Sequence, residues 1–187
     1  MFRRLFVIAG LAALLSAALA LPAGAATVSP SKWAPKFCNA LTQWESTLKT
    51  EGAAASSAIS GHAADLSAAR DELVSYLGKS VDATQVAIRK VKQAGTPSST
   101  NGAKIVTKLV AGFQGAAGVF SEAKVNAAAL STTDAAAFAS AGTQIQTDLS
   151  AASDKITASF NNLPKLDAKN ELSRALDKAA ACKAVSG

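Results

Sequence analysis

The chain reads as an all-α protein, an up-and-down helical bundle of four to five helices with its ends linked by a disulfide. Three observations carry that expectation. Apolar residues recur at helical spacing in every long segment, and no segment shows sustained strand alternation. Runs of turn-forming residues separate those segments. The only two cysteines of the 187 residues, Cys38 and Cys182, stand near opposite ends of the chain.

The first residues have the order of a secretory signal. Met1-Phe2-Arg3-Arg4 is the positive end, Leu5 to Leu21 the uncharged apolar run, and Ala23-Gly24-Ala25 the small-residue cleavage site. An uncleaved anchor is the competing reading, since the run is near the lower limit for spanning a bilayer. Pro22 followed by small residues favours processing. Residues 1–25 are therefore expected to be a removed signal peptide, and 26–187 a single helical-bundle domain. No cysteine follows the cleavage site, so lipid anchoring there is not indicated.

Helix one is expected to begin at Pro35, which a helix tolerates in its first turn. Phe37, Leu41, Trp44 and Leu48 share one face, and Gly52 should interrupt the helix after about Glu51. Residues 53–64 mix alanines with serines and Gly61, and read as a turn with helical flanks. Helix two carries Leu66, Leu73, Leu77, Val81, Ile88 and Val91, with a kink conceivable at Gly78 and an end at Gly95. Thr96 to Gly102 is the clearest turn in the chain.

Helix three places Ile105, Leu109, Phe113, Ala116 and Phe120 on one side and continues to about Leu130. Ser131-Thr132-Thr133-Asp134 is the next start signal, with hydroxyl caps and an acid in the first turn. Helix four follows with Phe138, Ile145, Leu149, Ile156, Phe160 and Leu163, and Pro164 should stop it. Asp167 is placed to cap a shorter fifth helix holding Leu172, Leu176, Ala179 and Cys182. If five helices alternate, the first and last run parallel and the cysteines meet only with an offset. A four-helix bundle with residues 165–182 as an end cap satisfies the same link.

Cysteine usage fits an oxidising compartment, where a pair in an exported chain forms a disulfide; interchain pairing is the alternative. The formal charge of +6 falls to about +4 once Arg3 and Arg4 leave with the signal. That excess favours anionic envelope polymers or lipid head groups. Nucleic acid is not expected, for want of an Arg-rich helix or an aromatic recognition motif. The alanine-rich exported style, with one cysteine in the first helix and one in the last, resembles small secreted proteins of high-GC bacteria in habit, and that likeness carries no site residues.

Catalytic and cofactor chemistry finds little to stand on. His62 is the single histidine, and about 21 Å of helix would separate it from Tyr76, too far to share a ligand atom. No Gly-x-Ser-x-Gly run accompanies the many serines. Asp71 and Glu72 are adjacent and so splayed on a helix. The expectation is a non-enzymatic protein without cofactor, secreted or held at the cell envelope, acting on an envelope component or protein partner.

Two features could carry binding. Arg89, Lys90 and Lys92 end helix two, and Lys104 and Lys108 open helix three, forming a basic tip. Cations suit a helix C-terminus but not the following N-terminus, which the dipole disfavours. A solvated polar tip is the plain reading and an anion contact the functional one. Gly112, Gly115 and Gly118, flanked by Phe113 and Phe120, cost a helix about 1 kcal/mol each relative to alanine. Close packing against a neighbouring helix is the first expectation for them, and a slot for a small apolar ligand the second.

Overall fold

The structure, a computed structural model, describes residues 26–62, 64–161 and 163–183, with the side chains of 151–164 outside the description. The signal-like segment therefore lies outside the described residues, as do the side chains of Ile156, Phe160 and Leu163. The fold is all-helical apart from one short strand pair. Four long helices, α1 (Pro30–Gly61), α2 (Leu66–Gln93), α3 (Gly102–Ala128) and α4 (Ala135–Asn161), are followed by short α5 (Leu163–Leu166), α6 (Glu171–Lys178) and α7 (Ala180–Lys183). Strands β1 (Thr27–Val28) and β2 (Thr96–Pro97) pair in parallel ahead of α1 and after α2.

The core lies between α1, α2 and α3. The expected stripes supply it: Phe37, Leu41 and Trp44 from α1, Leu77, Ile88 and Val91 from α2, and Ile105, Leu109, Phe113 and Phe120 from α3 are all buried. Helix α4 leans chiefly on α3, with Ile145 buried and Phe138 and Leu149 half-buried. The last segment is not a full bundle member. Helices α6 and α7 return against α1, where Cys182 bonds Cys38 at 1.99 Å across a sequence separation of 144 residues.

Helix α1 departs from expectation at both ends. It starts at Pro30 and carries Pro35 inside, because an earlier start turns Trp33 and Ala34 into the core, both fully buried. Trp33 stacks on Phe37 at 4.8 Å, and its indole N–H donates to the Gly95 carbonyl at 2.9 Å. At the far end α1 runs through Gly52 to Gly61, so residues 53–61 are helix and not a turn. Tyr76 of α2 packs against this turn, where a Cβ on Gly52 would meet its ring at 3.5 Å, an ordinary van der Waals contact, and the helix continues through the glycine. Helix α2 is likewise continuous through Gly78.

Gly95 follows the C-terminus of α2 with a φ of +85°, a conformation that favours glycine. A Cβ there would lie 2.6 Å from the Ala26 carbonyl oxygen. The same spot thus ends α2, receives β1 and accepts the Trp33 bond.

Helix N-termini are treated differently at the two ends of the bundle. Asp65 accepts bonds from the Ser67 and Ala68 amides ahead of α2, and Asp134 from Ala136 and Ala137 ahead of α4. The start signal expected over Ser131–Asp134 is present, but Asp134 and not a hydroxyl supplies the cap, and it precedes the first turn. Asp167 caps α6 from a distance, accepting from the Glu171 amide at 3.1 Å, the Ser173 amide at 2.8 Å and the Ser173 hydroxyl at 3.0 Å. Pro164 sits within α5, after α4 has already ended at Asn161. The expected fifth helix is divided into α6 and α7 at Ala179, whose backbone is extended.

Burial pushes the Asp167 carboxyl up, but the bonds from Ser173, Leu172 and Glu171 outweigh it and hold the group below the usual carboxylate range. A folded-state value below the unfolded one gives stability that is present above the unfolded pKa and lost as pH falls through the folded value. Asp167→Asn is therefore expected to lower stability by about 1.5–3 kcal/mol at neutral pH. Urea midpoints of the two proteins should converge in strong acid, and a difference unchanged by acid would contradict the assignment.

Candidate functional site

Antiparallel packing brings the N-terminus of α1, the C-terminus of α2 and the N-terminus of α3 to one end of the bundle. The β1–β2 pair and the Trp33–Gly95 bond hold the first two together. Asn101 donates to the Leu166 carbonyl at 2.9 Å, which brings α5 to the same end. The disulfide adds α7.

That end is basic for a reason visible in the chain. No acidic residue stands between Asp82 and Glu122, and the interval contains Arg89, Lys90, Lys92, Lys104 and Lys108. Packing adds cations that the sequence places far away, Lys32 and Lys36 from α1 and Lys165 and Lys183 from the C-terminal pieces, all exposed. Of the acids at this end, Asp167 is buried with both oxygens taken by α6, so it presents little charge to solvent, whereas Glu171 is half-buried and Asp177 exposed. Glu51, Asp65, Asp71, Glu72, Glu122 and Asp134 belong to the opposite half. The protein is thus electrostatically polar along its length.

The five residues of the expected basic tip are not equivalent. Arg89, Lys92, Lys104 and Lys108 are exposed and, among the described residues, form no ion pair. Lys90 is half-buried and turns toward α1, where its ammonium donates to the Gln43 side-chain oxygen. Lys104 and Lys108 lie in the first two turns of α3, whose N-cap Asn101 makes no side-chain cap bond. Lys32 stands similarly in the first turn of α1, where Ser29 makes none either. Two helix starts thus combine free amide dipole with added positive charge, an arrangement that raises the local potential instead of neutralising it.

The glycine strip requires a correction. Phe113 and Phe120 point into the core and are buried, whereas Gly115 and Gly118 are exposed, with no atom that an added Cβ would touch within 4 Å. Gly112 is half-buried. The glycines and phenylalanines therefore occupy different sides of α3 and do not line one slot, and Gly115 and Gly118 do not serve close packing. Glycine carries no hydropathy that assigns it to a face, so spacing alone could not separate these outcomes.

Sequence reasoning passed over a groove between α1 and α2. It has a volume of about 300 Å³, with Ala40, Trp44, Ala83, Val86 and Ala87 as its apolar wall and Gln43, Thr47, Glu51, Lys79 and Asp82 at its rim. Among the described residues, no three potential ligands of the His, Cys, Asp and Glu types converge on a metal-sized site, and no helix is long and apolar enough to cross a membrane. Comparison of the chain with protein-family models, with curated proteins and with solved structures finds no match.

Proposed function

We propose that the protein is a secreted, non-enzymatic binding module that engages an anionic component of the cell envelope through the basic end of its bundle. The observation that carries this reading is the concentration at one end of exposed cations that form no ion pair among the described residues, Arg89, Lys92, Lys104 and Lys108 foremost, in an interval between Asp82 and Glu122 that holds no acid. Charge segregated in this way steers an anionic surface toward one face of the molecule. A rigid helical scaffold with tied ends suits such a role, because presenting the cations costs little further ordering on binding. The exposure of Gly115 and Gly118 weighs against the second reading, a carrier of a small apolar ligand built around Gly112, Gly115 and Gly118.

The test is retention of the processed protein on isolated cell-wall material and on phosphatidylglycerol vesicles. Retention is expected at low ionic strength and should fall steeply as the Debye length shrinks from about 30 Å at 0.01 M salt to about 8 Å at 0.15 M. Changing Arg89, Lys92, Lys104 and Lys108 together to glutamine should reduce it by tenfold or more, while Asp71→Asn and Glu72→Gln at the far end leave it unchanged. Salt-insensitive retention, or full retention by the quadruple variant, would reject the proposal.

A further inference from the structure

Residues 26–28 are fixed at the basic end before the first helix begins. The Thr96 amide donates to the Ala26 carbonyl at 3.3 Å and the Ser98 amide to the Val28 carbonyl at 2.7 Å, so β1 lies along the turn that leaves α2. The contact is close because Gly95 has no side chain. A Cβ there would meet the Val28 side chain at 2.8 Å as well as the Ala26 oxygen. Ala26 itself is exposed.

The expected cleavage site, Ala23-Gly24-Ala25, immediately precedes this anchored residue. Hydrolysis of the peptide bond after Ala25 gives that residue's new carboxylate its second oxygen and the Ala26 nitrogen two protons, all from one water. Backbone dimensions keep the resulting α-ammonium within about 4 Å of the anchored carbonyl oxygen. The elements that meet here bring Lys32 from α1, Arg89 and Lys92 from α2 and Lys104 from α3, while β1 and β2 carry no charged residue. The exposed or half-exposed acids of this end, Asp177 and Glu171, belong to α6, which packs on α1.

We infer that signal cleavage completes the basic end: the Ala26 α-ammonium, held in place by β1, joins the lysines in binding the phosphates of an anionic lipid surface. The cations come from several separate helix ends, which suits a surface of many head groups better than a single ion. This inference rests on the anion-binding reading and adds one group to it, with a property the others lack. Lysine and arginine keep their protons through neutral pH, whereas an α-amine loses its own at about 7.7–8.0. The single histidine, His62, stands at the far end of α1. Anion contact favours the charged amine, so affinity falls as pH rises through that range. One elementary charge beside an anionic lipid surface corresponds to about a fivefold change in affinity.

The test uses vesicles of phosphatidylglycerol in phosphatidylcholine at low salt, and processed protein whose mass shows Ala26 as its first residue. Affinity should fall about fivefold between about pH 7 and pH 9. Ala26→Gln removes the charge without shortening the chain, because an amino-terminal glutamine cyclises to pyroglutamate with loss of ammonia, which mass spectrometry verifies. At the lower pH the cyclised variant should bind as weakly as the unaltered protein does at the higher, with no further fall, and matching thermal melts would show that it remains folded. Binding by the unaltered protein that ignores pH, the same fall in the cyclised variant, or a processed chain that begins at another residue would overturn the inference and leave the anion-binding reading intact. Absence of vesicle binding also overturns it; retention on cell-wall material would then preserve the broader reading, and loss of both would reject the two together.

Discussion

Replacing Cys38 and Cys182 together by alanine is expected to lower the unfolding free energy by about 5 kcal/mol, the chain-entropy figure for a loop of this size. The crosslink spans a separation of 144 residues, so it restricts nearly the whole described chain in the unfolded state. A domain typically has only about 5–15 kcal/mol in total. The alanine pair should therefore unfold at a far lower urea concentration, and its loss should exceed that of any single core truncation. The structure also predicts where the folded variant loosens first. Helices α6 and α7 are short, with Leu172 buried in α6, Ala179 buried between the two and no residue of α7 buried, so the C-terminal segment should become the earliest site of proteolysis. A urea midpoint equal to that of the disulfide-bonded protein would remove the crosslink from its place in this account.

Trp33→Ala is expected to cost about 3–5 kcal/mol, the range for truncating a large buried aromatic side chain. Trp33 has no solvent exposure, stacks on Phe37 and bonds the Gly95 carbonyl. Trp33→Phe separates these contributions: it keeps much of the apolar volume but leaves the carbonyl without its indole donor, a loss of about 1–3 kcal/mol. Because Gly95 also faces Ala26, the alanine variant should loosen the β1–β2 pair, seen as faster amide exchange at Thr96 and Ser98. Protection of those two amides at the level of the unaltered protein would show that Trp33 does not hold this corner.

Much of the helical layout was legible because it depends on local chemistry. The α3 stripe from Ile105 to Phe120 is buried as its spacing required, Gly95 ends α2, and the Asp134 carboxylate caps α4. Where the reading failed, a neighbour distant in sequence overrode local preference. Pro35 looked like a helix start, yet burial of Trp33 and Ala34 pulled the start back to Pro30. Gly52 looked like a stop, yet α1 runs through it to Gly61 with Tyr76 of α2 packed alongside. Asp167 was correctly placed as the cap of the last helical segment, but its reach over six residues to Ser173 was not visible from spacing.

The candidate sites divide along the same line. A basic tip was legible from the acid-free interval between Asp82 and Glu122, since consecutive helices joined by a short turn must share an end. The contribution of Lys32, Lys36, Lys165 and Lys183 was not, because it depends on which helix ends dock together. The α1–α2 groove was invisible for a related reason: alanine suits a helix in any setting, and only the facing of Ala40 with Ala83 and Ala87 turns small side chains into space.

By itself, the sequence determined that this protein is helical, where most of its helices turn inward, and that Cys38 has one possible partner within the chain. Those outcomes follow from residue periodicity and covalent chemistry, which act within a segment or by elimination. Only the tertiary structure decided that the final segment folds back in short pieces on α1, that Gly115 and Gly118 face solvent, and that Lys32, Lys36, Lys165 and Lys183 join the basic end. Such outcomes depend on contacts between residues scores of positions apart, and no local pattern encodes which of two small side chains will meet a neighbour and which will meet water.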